Sequence, residues 1–214
     1  MLGFSTLILL PLFAALFCYF IKDFRVQYGI SLLVSLLHLF ITLLEFLEIY
    51  HIQLPTFFCF YSLSKLFLLI LSNVYFWVVL VSYSYLKRPV TEKAAAGQRY
   101  YFLLLNFYLA SNSAAMLSSH FGMYWVTAET TTLAVAPLIY YYRNEAALEA
   151  MWKYLFLVSI GIAFAFMGIL FLTLSAKGSV LEGQQLFYWE FIRNARDLNP
   201  IWLKASFIFI FVGL

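Results

Sequence analysis

Glu129 and Lys153 are the residues of this 214-residue chain whose types and setting could move protons. Glu129 lies in the apolar stretch 121–142, which holds no basic residue to neutralise it. An acid at the centre of a spanning helix costs roughly 2.5–3.5 kcal/mol on insertion scales, so such a group faces a bundle interior or a water-filled path. Lys153 begins the next apolar run, 152–175, behind the interface aromatic Trp152. A lysine moved into low dielectric loses proton affinity and a nearby carboxylate restores it, so a buried Glu and Lys can shift each other's protonation. That coupling is what a switchable proton path requires. The local sequence adds polar groups: Thr130, Thr131 and Thr132 follow Glu129, and Pro137 deprives the Leu133 carbonyl of its helical donor. Hydroxyls and a freed carbonyl beside a carboxylate can hold ordered water, so Thr130, Thr132 and Pro137 are auxiliary candidates, as are His120 before this stretch and Lys204 after it. Two structural alternatives stay open: Glu129 as a buried acid satisfied by one partner, and Lys153 as an anchor whose stem snorkels to the interface.

The elements that position these residues follow from composition. The chain is 64% hydrophobic and 11% charged, against about 25% charged residues in a soluble domain. The fold class is therefore all-α, a polytopic transmembrane bundle. A ruler of about 20 apolar residues per span places six full spans near 2–21, 28–49, 64–86, 100–118, 121–142 and 152–175, with a seventh, 200–214, ending while still apolar. The chain is expected to be cut off inside that helix. The first span lacks a basic leader and a small-residue cleavage site, so it reads as a retained helix rather than a signal peptide.

Basic residues set the orientation. Lys22, Arg25, Lys87, Arg88, Lys93, Arg99 and Arg143 lie on one side, and Lys65, Lys177, Arg193 and Arg196 on the other. The richer side is expected in the cytoplasm and the N-terminus outside. The long connection 176–199 contains Leu186-Phe187-Tyr188-Trp189 and Phe191-Ile192, the pattern of a short helix lying on the membrane surface.

Other polar residues within the spans read as structural. His38, Thr42 and Glu45 share one helix face, and Glu45 and Glu48 are close enough to a span end to reach water. Asn106 and Ser113 suit close helix contact. His120 is either a proton exit or a loop histidine. The net charge of +3 is distributed between spans and offers no nucleic-acid surface. Cys18 and Cys59 form no CxxC pair, His38, His51 and His120 do not pair at one depth for haem, and there is no phosphate loop. No metal, no cofactor and no redox centre of the chain's own are expected, and the cytoplasmic loops are too short for a soluble catalytic domain.

The segment His120-Phe121-Gly122-Met123-Tyr124-Trp125-Val126-Thr127-Ala128-Glu129-Thr130-Thr131-Thr132-Leu133, then Tyr142-Arg143, then Ala146-Ala147-Leu148-Glu149-Ala150-Met151-Trp152-Lys153-Tyr154, resembles the antiporter-like membrane subunits of respiratory complex I, Mrp-type antiporters and group 4 hydrogenases. The wording is most similar to the hydrogenase-4 or formate hydrogenlyase type F subunit, and Leu63-Ser64 with Tyr83-Ser84-Tyr85 extends the likeness upstream. The resemblance covers roughly residues 60–214, which makes 1–59 a set of preceding helices and 60–214 an incomplete antiporter-like domain. It implies a proton-conducting subunit of a redox-driven complex in a prokaryotic cytoplasmic membrane, with Glu129 and Lys153 on a charged axis and other membrane subunits as partners. Protons, or sodium, would be the ion carried. The chain departs from the family pattern in lacking the following broken helix and the second half of the inverted repeat, and at two positions. Lys204 is not at the family's central lysine position, which would fall beyond Leu214, and Tyr61-Ser62 stands where the family has an acid. By itself the chain is then not expected to pump. An Mrp-type cation/proton antiporter component and a truncated structural scaffold remain as alternatives.

Overall fold

The computed structural model describes residues 5–21, 23–49, 55–86, 92–183 and 186–213, with the backbone alone at 5, 92–96 and 99. Lys22, His51, Lys87 and Arg88, and the side chains of Lys93 and Arg99, lie outside the described residues. All named elements are helical: α1 (Leu10–Phe20), entered through a π-helical turn at Ser5–Leu9, α2 (Phe24–Phe46), α3 (Ser62–Leu86), α4 (Glu92–Leu117), α5 (Phe121–Ile139), α6 (Glu145–Ser175), the short α7 (Tyr188–Arg193) and α8 (Pro200–Gly213). Three of them, α2, α3 and α6, are each long and apolar enough to cross a membrane. A short helix does fall within 176–199, α7, with Phe191 buried and Trp189 and Ile192 exposed.

Side-chain caps decide where the helices begin. Asp23 accepts from the Arg25 amide at 2.9 Å and starts α2 at Phe24, four residues before the apolar pattern does. Asn144 accepts from the Ala147 amide at 2.7 Å and starts α6 at Glu145, well ahead of the expected 152. A side-chain oxygen that satisfies an orphan amide of the first turn stabilises such an end by about 1 kcal/mol. α2 stops where Glu48 turns left-handed, at φ 56°, and the Ile49 amide reaches back to the Leu44 carbonyl at 3.1 Å. Arg143, at φ 51°, closes the 3-10 turn Tyr140–Tyr142 in the same way.

The bundle is inverted relative to a soluble protein. Phe13, Phe17, Leu33, Phe40, Trp77 and Val81 face outward, whereas Gln27, Ser31, His38, Thr42, Ser72 and Asn106 are buried between α1 and α4. Between helices in lipid no hydrophobic force acts, so small and polar side chains form the contacts. The α6–α8 contact shows the same rule. A Cβ on Gly168 would lie 2.8 Å from the Ile210 nitrogen and 2.9 Å from the Ser206 carbonyl oxygen, so glycine permits the two backbones to approach. At one end, the segments 55–61 and 186–188 are tied to the α4–α5 turn. Cys59 donates to the Leu117 carbonyl at 2.7 Å, Ser119 to Phe57 at 2.8 Å, Phe121 to Leu186 at 3.0 Å and Tyr188 to Ser119 at 3.1 Å.

Candidate proton-carrying site

Glu129 sits midway along α5, and its Oε2 is buried with no hydrogen-bond partner among the described residues. Leaving such an acceptor unmade costs about 1–3 kcal/mol, more if it is charged. Among the described residues no ion pair neutralises it. Tyr154 on α6 lies within electrostatic reach of both Glu129 and Tyr108 of α4, so the carboxylate faces the meeting of three helices. α5 is held against α6 there by Trp125, whose Nε1 donates to the Ile162 carbonyl at 3.1 Å and whose ring packs on Phe166 with centroids 4.7 Å apart. One residue from Glu129, Ala128 borders a cavity of about 160 Å³ lined also by Tyr124, Ile162, Ala165 and Ile210.

The threonines behind Glu129 point their protons at their own helix. Thr130 donates to the Val126 carbonyl at 2.7 Å, Thr131 to Ala128 at 2.7 Å and Thr132 to Glu129 at 2.8 Å. Back-bonded hydroxyls of this kind bend a helix slightly, and their oxygens remain available as acceptors. Pro137 lies inside α5 near its end.

Lys153 is not brought to Glu129. Its Nζ pairs with Glu149 Oε1 at 2.5 Å, one helical turn earlier, and both side chains are largely exposed. Lys204 is exposed on α8. His120 is the N-cap of α5: its Nδ1 accepts from the amides of Gly122 at 3.1 Å and Met123 at 3.4 Å. Its ring stands edge-on between Phe57 and Phe187, with centroids 5.6 and 5.3 Å away, and desolvation holds it below the ordinary histidine range.

Two groupings were not foreseen from the sequence. Tyr154 reads in the sequence as part of an apolar run, yet its phenol lies within electrostatic reach of Glu129. Lys65 was read as a loop charge, yet it pairs with the buried Glu45 at 3.5 Å and with Glu48 at 3.6 Å. The helical spacing of His38, Thr42 and Glu45 was the available signal for that second grouping, because it puts an acid on the buried face.

No family model matches the chain. Over 212 residues it is 27% identical to the hydrogenase-4 component F homolog of Methylacidiphilum infernorum, a match covering 98% of this chain and 44% of that protein. It also superposes, over its whole length and with a TM-score of 0.79 at 21% identity, on 44% of a chain in the membrane-bound sulfane sulfur reductase, an archaeal respiratory membrane complex. That likeness shows the fold. The chain spans less than half the length of the curated relative it matches. Because both matches run essentially end to end, the similarity takes in the helices before residue 60 as well as those after it.

Proposed function

We propose that the chain forms part of a proton-translocating membrane subunit of a redox-driven complex of the hydrogenase-4 or NADH–quinone type, and that Glu129 is its proton-bearing group. The observation that carries this is the buried, unpartnered Oε2 of Glu129 at the junction of α4, α5 and α6. The names of the relatives, a hydrogenase-4 component and a respiratory membrane complex, support the redox setting. In this reading residues 1–59 precede an antiporter-like unit, 60–214, that is completed by further chain or by another subunit. Six spans and the start of a seventh then cross a prokaryotic cytoplasmic membrane, with the N-terminus outside. The Glu149–Lys153 pair supplies a movable positive charge: when Glu129 ionises, Lys153 turns from Glu149 toward it, and when Glu129 is protonated Lys153 returns. Thr130 and Thr132 offer acceptors to the water that delivers the proton, and Pro137 opens the end of the helix.

Glu129→Gln tests this directly. In the assembled complex the variant should lose proton translocation about a hundred-fold, the scale of a positioned proton-transfer group, while assembly and quinone- or hydrogen-linked electron transfer remain. Unaltered pumping would sink the role. Translocation that instead requires sodium and no electron donor would assign the chain to a cation/proton antiporter.

A further inference from the structure

Gln27, Ser31, Ser35, His38, Thr42 and Glu45 repeat along α2 at helical spacing, and all six are buried. From Gln27 to Glu45 the stripe covers about 27 Å of helix at 1.5 Å per residue, close to the roughly 30 Å of a bilayer's hydrocarbon. His38 is its centre. Nδ1 lies 2.7 Å from the Ser72 hydroxyl of α3, and Nε2 lies 3.1 Å from the Ser113 hydroxyl of α4. Thr42 is 3.1 Å from the same Ser72 oxygen, which in turn donates to the Leu68 carbonyl at 2.7 Å. One turn further, Glu45 meets Lys65 at 3.5 Å, and Lys65 meets the exposed Glu48 at 3.6 Å. On the other side of His38, Ser35 is buried with its hydroxyl donating to the Leu32 carbonyl at 2.7 Å, and Val34 and Leu109 are buried on the turns that precede the Ser31–Asn106–Tyr75 group.

The ladder is therefore polar from Glu48 to His38, and below it the Ser35 hydroxyl is turned onto its own helix. A hydroxyl either donates or accepts, and the Leu7 backbone also reaches the ring as a hydrogen-bonding group. With a hydroxyl at each nitrogen, His38 stays hydrogen-bonded whether neutral or protonated. We propose that the Glu45–Lys65 end of the bundle is the mouth of a proton-conducting half-channel that ends on His38, with Thr42 and Ser72 as relay hydroxyls. For transfer the Ser72 hydroxyl turns from the Leu68 carbonyl to Nδ1, and the Thr42 hydroxyl turns from the Leu39 carbonyl to Ser72. Ser72 then gives its proton to Nδ1 and takes one from Thr42, which takes a proton from water at the mouth. The positive charge ends on the imidazolium and Glu45 is its counter-charge. The charged and titratable groups around His38 are Glu45 and Glu48 on α2 and Lys65 on α3, with Tyr75 beyond the apolar layer. α4 offers Ser113 and Asn106, and the N-terminal turn offers the backbone of Leu7. None of these side chains belongs to the Glu129 site, so either proposal can fail without the other.

The test is deuterium exchange at the imidazole N–H in the full chain, ¹⁵N-labelled at histidine and held in lipid bilayers. The chain has three histidines, so His38→Gln assigns the signal. If that variant does not fold, His51→Gln and His120→Gln assign it by subtraction. The ring N–H should exchange about a hundred-fold faster than the backbone amides of the same turn of α2, whose exchange needs local opening. The double variant Glu45→Gln, Glu48→Gln should slow it about ten-fold, as loss of a proton-relaying group does. Exchange as slow as the neighbouring amides overturns the half-channel, and fast exchange that ignores the double variant overturns its mouth.

Discussion

In the α1–α4 bundle Asn106 donates to Ser31 at 2.7 Å and to the Phe102 carbonyl at 2.7 Å, and accepts from Tyr75 at 2.9 Å. On α5, the helix that follows that bundle, Glu129 Oε2 is equally hidden and meets no partner among the described residues. The first region has paired its buried polarity and uses it to fix which helix faces which. The second holds an acid at a cost that packing does not recover, which is the cost the proposed proton-bearing role accounts for. A substitution that removes polarity should therefore act with opposite sign in the two places. Asn106→Leu strands the Tyr75 hydroxyl, and the lost hydrogen bonds should reduce stability by about 3 kcal/mol, at 1–3 kcal/mol for each buried group left unmade. Glu129→Leu should leave stability unchanged or raise it, because no partner is orphaned. Equilibrium unfolding of both variants in the same detergent or bicelle compares them, and a stability loss at Glu129 equal to that at Asn106 would break the contrast.

What the sequence made legible follows the range of the interactions involved. Glu129 stood out because a single acid in a long apolar stretch needs no knowledge of neighbours, and the His38–Thr42–Glu45 face followed from helical spacing alone. An apolar ruler does not see caps, so α2 and α6 begin earlier than expected, at the starts that Asp23 and Asn144 set. α4 likewise begins at Glu92 rather than 100, since its first residues are polar and add nothing to an apolar count. Long-range pairing was not legible. Lys65 finds Glu45 only because α2 and α3 run back to back around a turn, and nothing local to Lys65 says so. Lys153 shows the opposite case: its partner in this structure, Glu149, is four residues away on the same helix, a pairing that local spacing alone allows.

His120 sharpens the comparison at the junction of the two regions. It closes the N-terminus of α5 with a ring nitrogen that must be free of its proton to accept from Gly122 and Met123. Its folded pKa lies below the ordinary 6.5 because burial disfavours the charged ring. The unfolded chain therefore binds the proton more readily, so the cap contributes fully above about pH 6.5 and its contribution is lost as pH falls through the depressed folded value. His120→Ala should cost about 1 kcal/mol at pH 8, the usual worth of a cap, and less under acid. His120→Asn should keep the cap and remove the pH dependence of this step. Thermal unfolding of the three proteins between pH 5 and 8 reads it, and parallel pH profiles would show that His120 does not cap by its neutral ring.

Lys153→Met is expected to disturb stability least and to say most about coupling. The Glu149–Lys153 pair spans one turn, with side chains 66% and 71% exposed, and such pairs contribute about 0.3–0.5 kcal/mol. A loss larger than that would make Lys153 a structural tie. The informative readout is the carboxyl band of Glu129, followed by infrared difference spectroscopy across pH and assigned by its absence in Glu129→Gln. If Lys153 approaches the ionised carboxylate, removing its positive charge must raise the Glu129 titration point, since an opposite charge favours the ionised form. If Lys153 stays with Glu149 in every state, the band titrates unchanged, and α6 contributes to the site through Tyr154 alone.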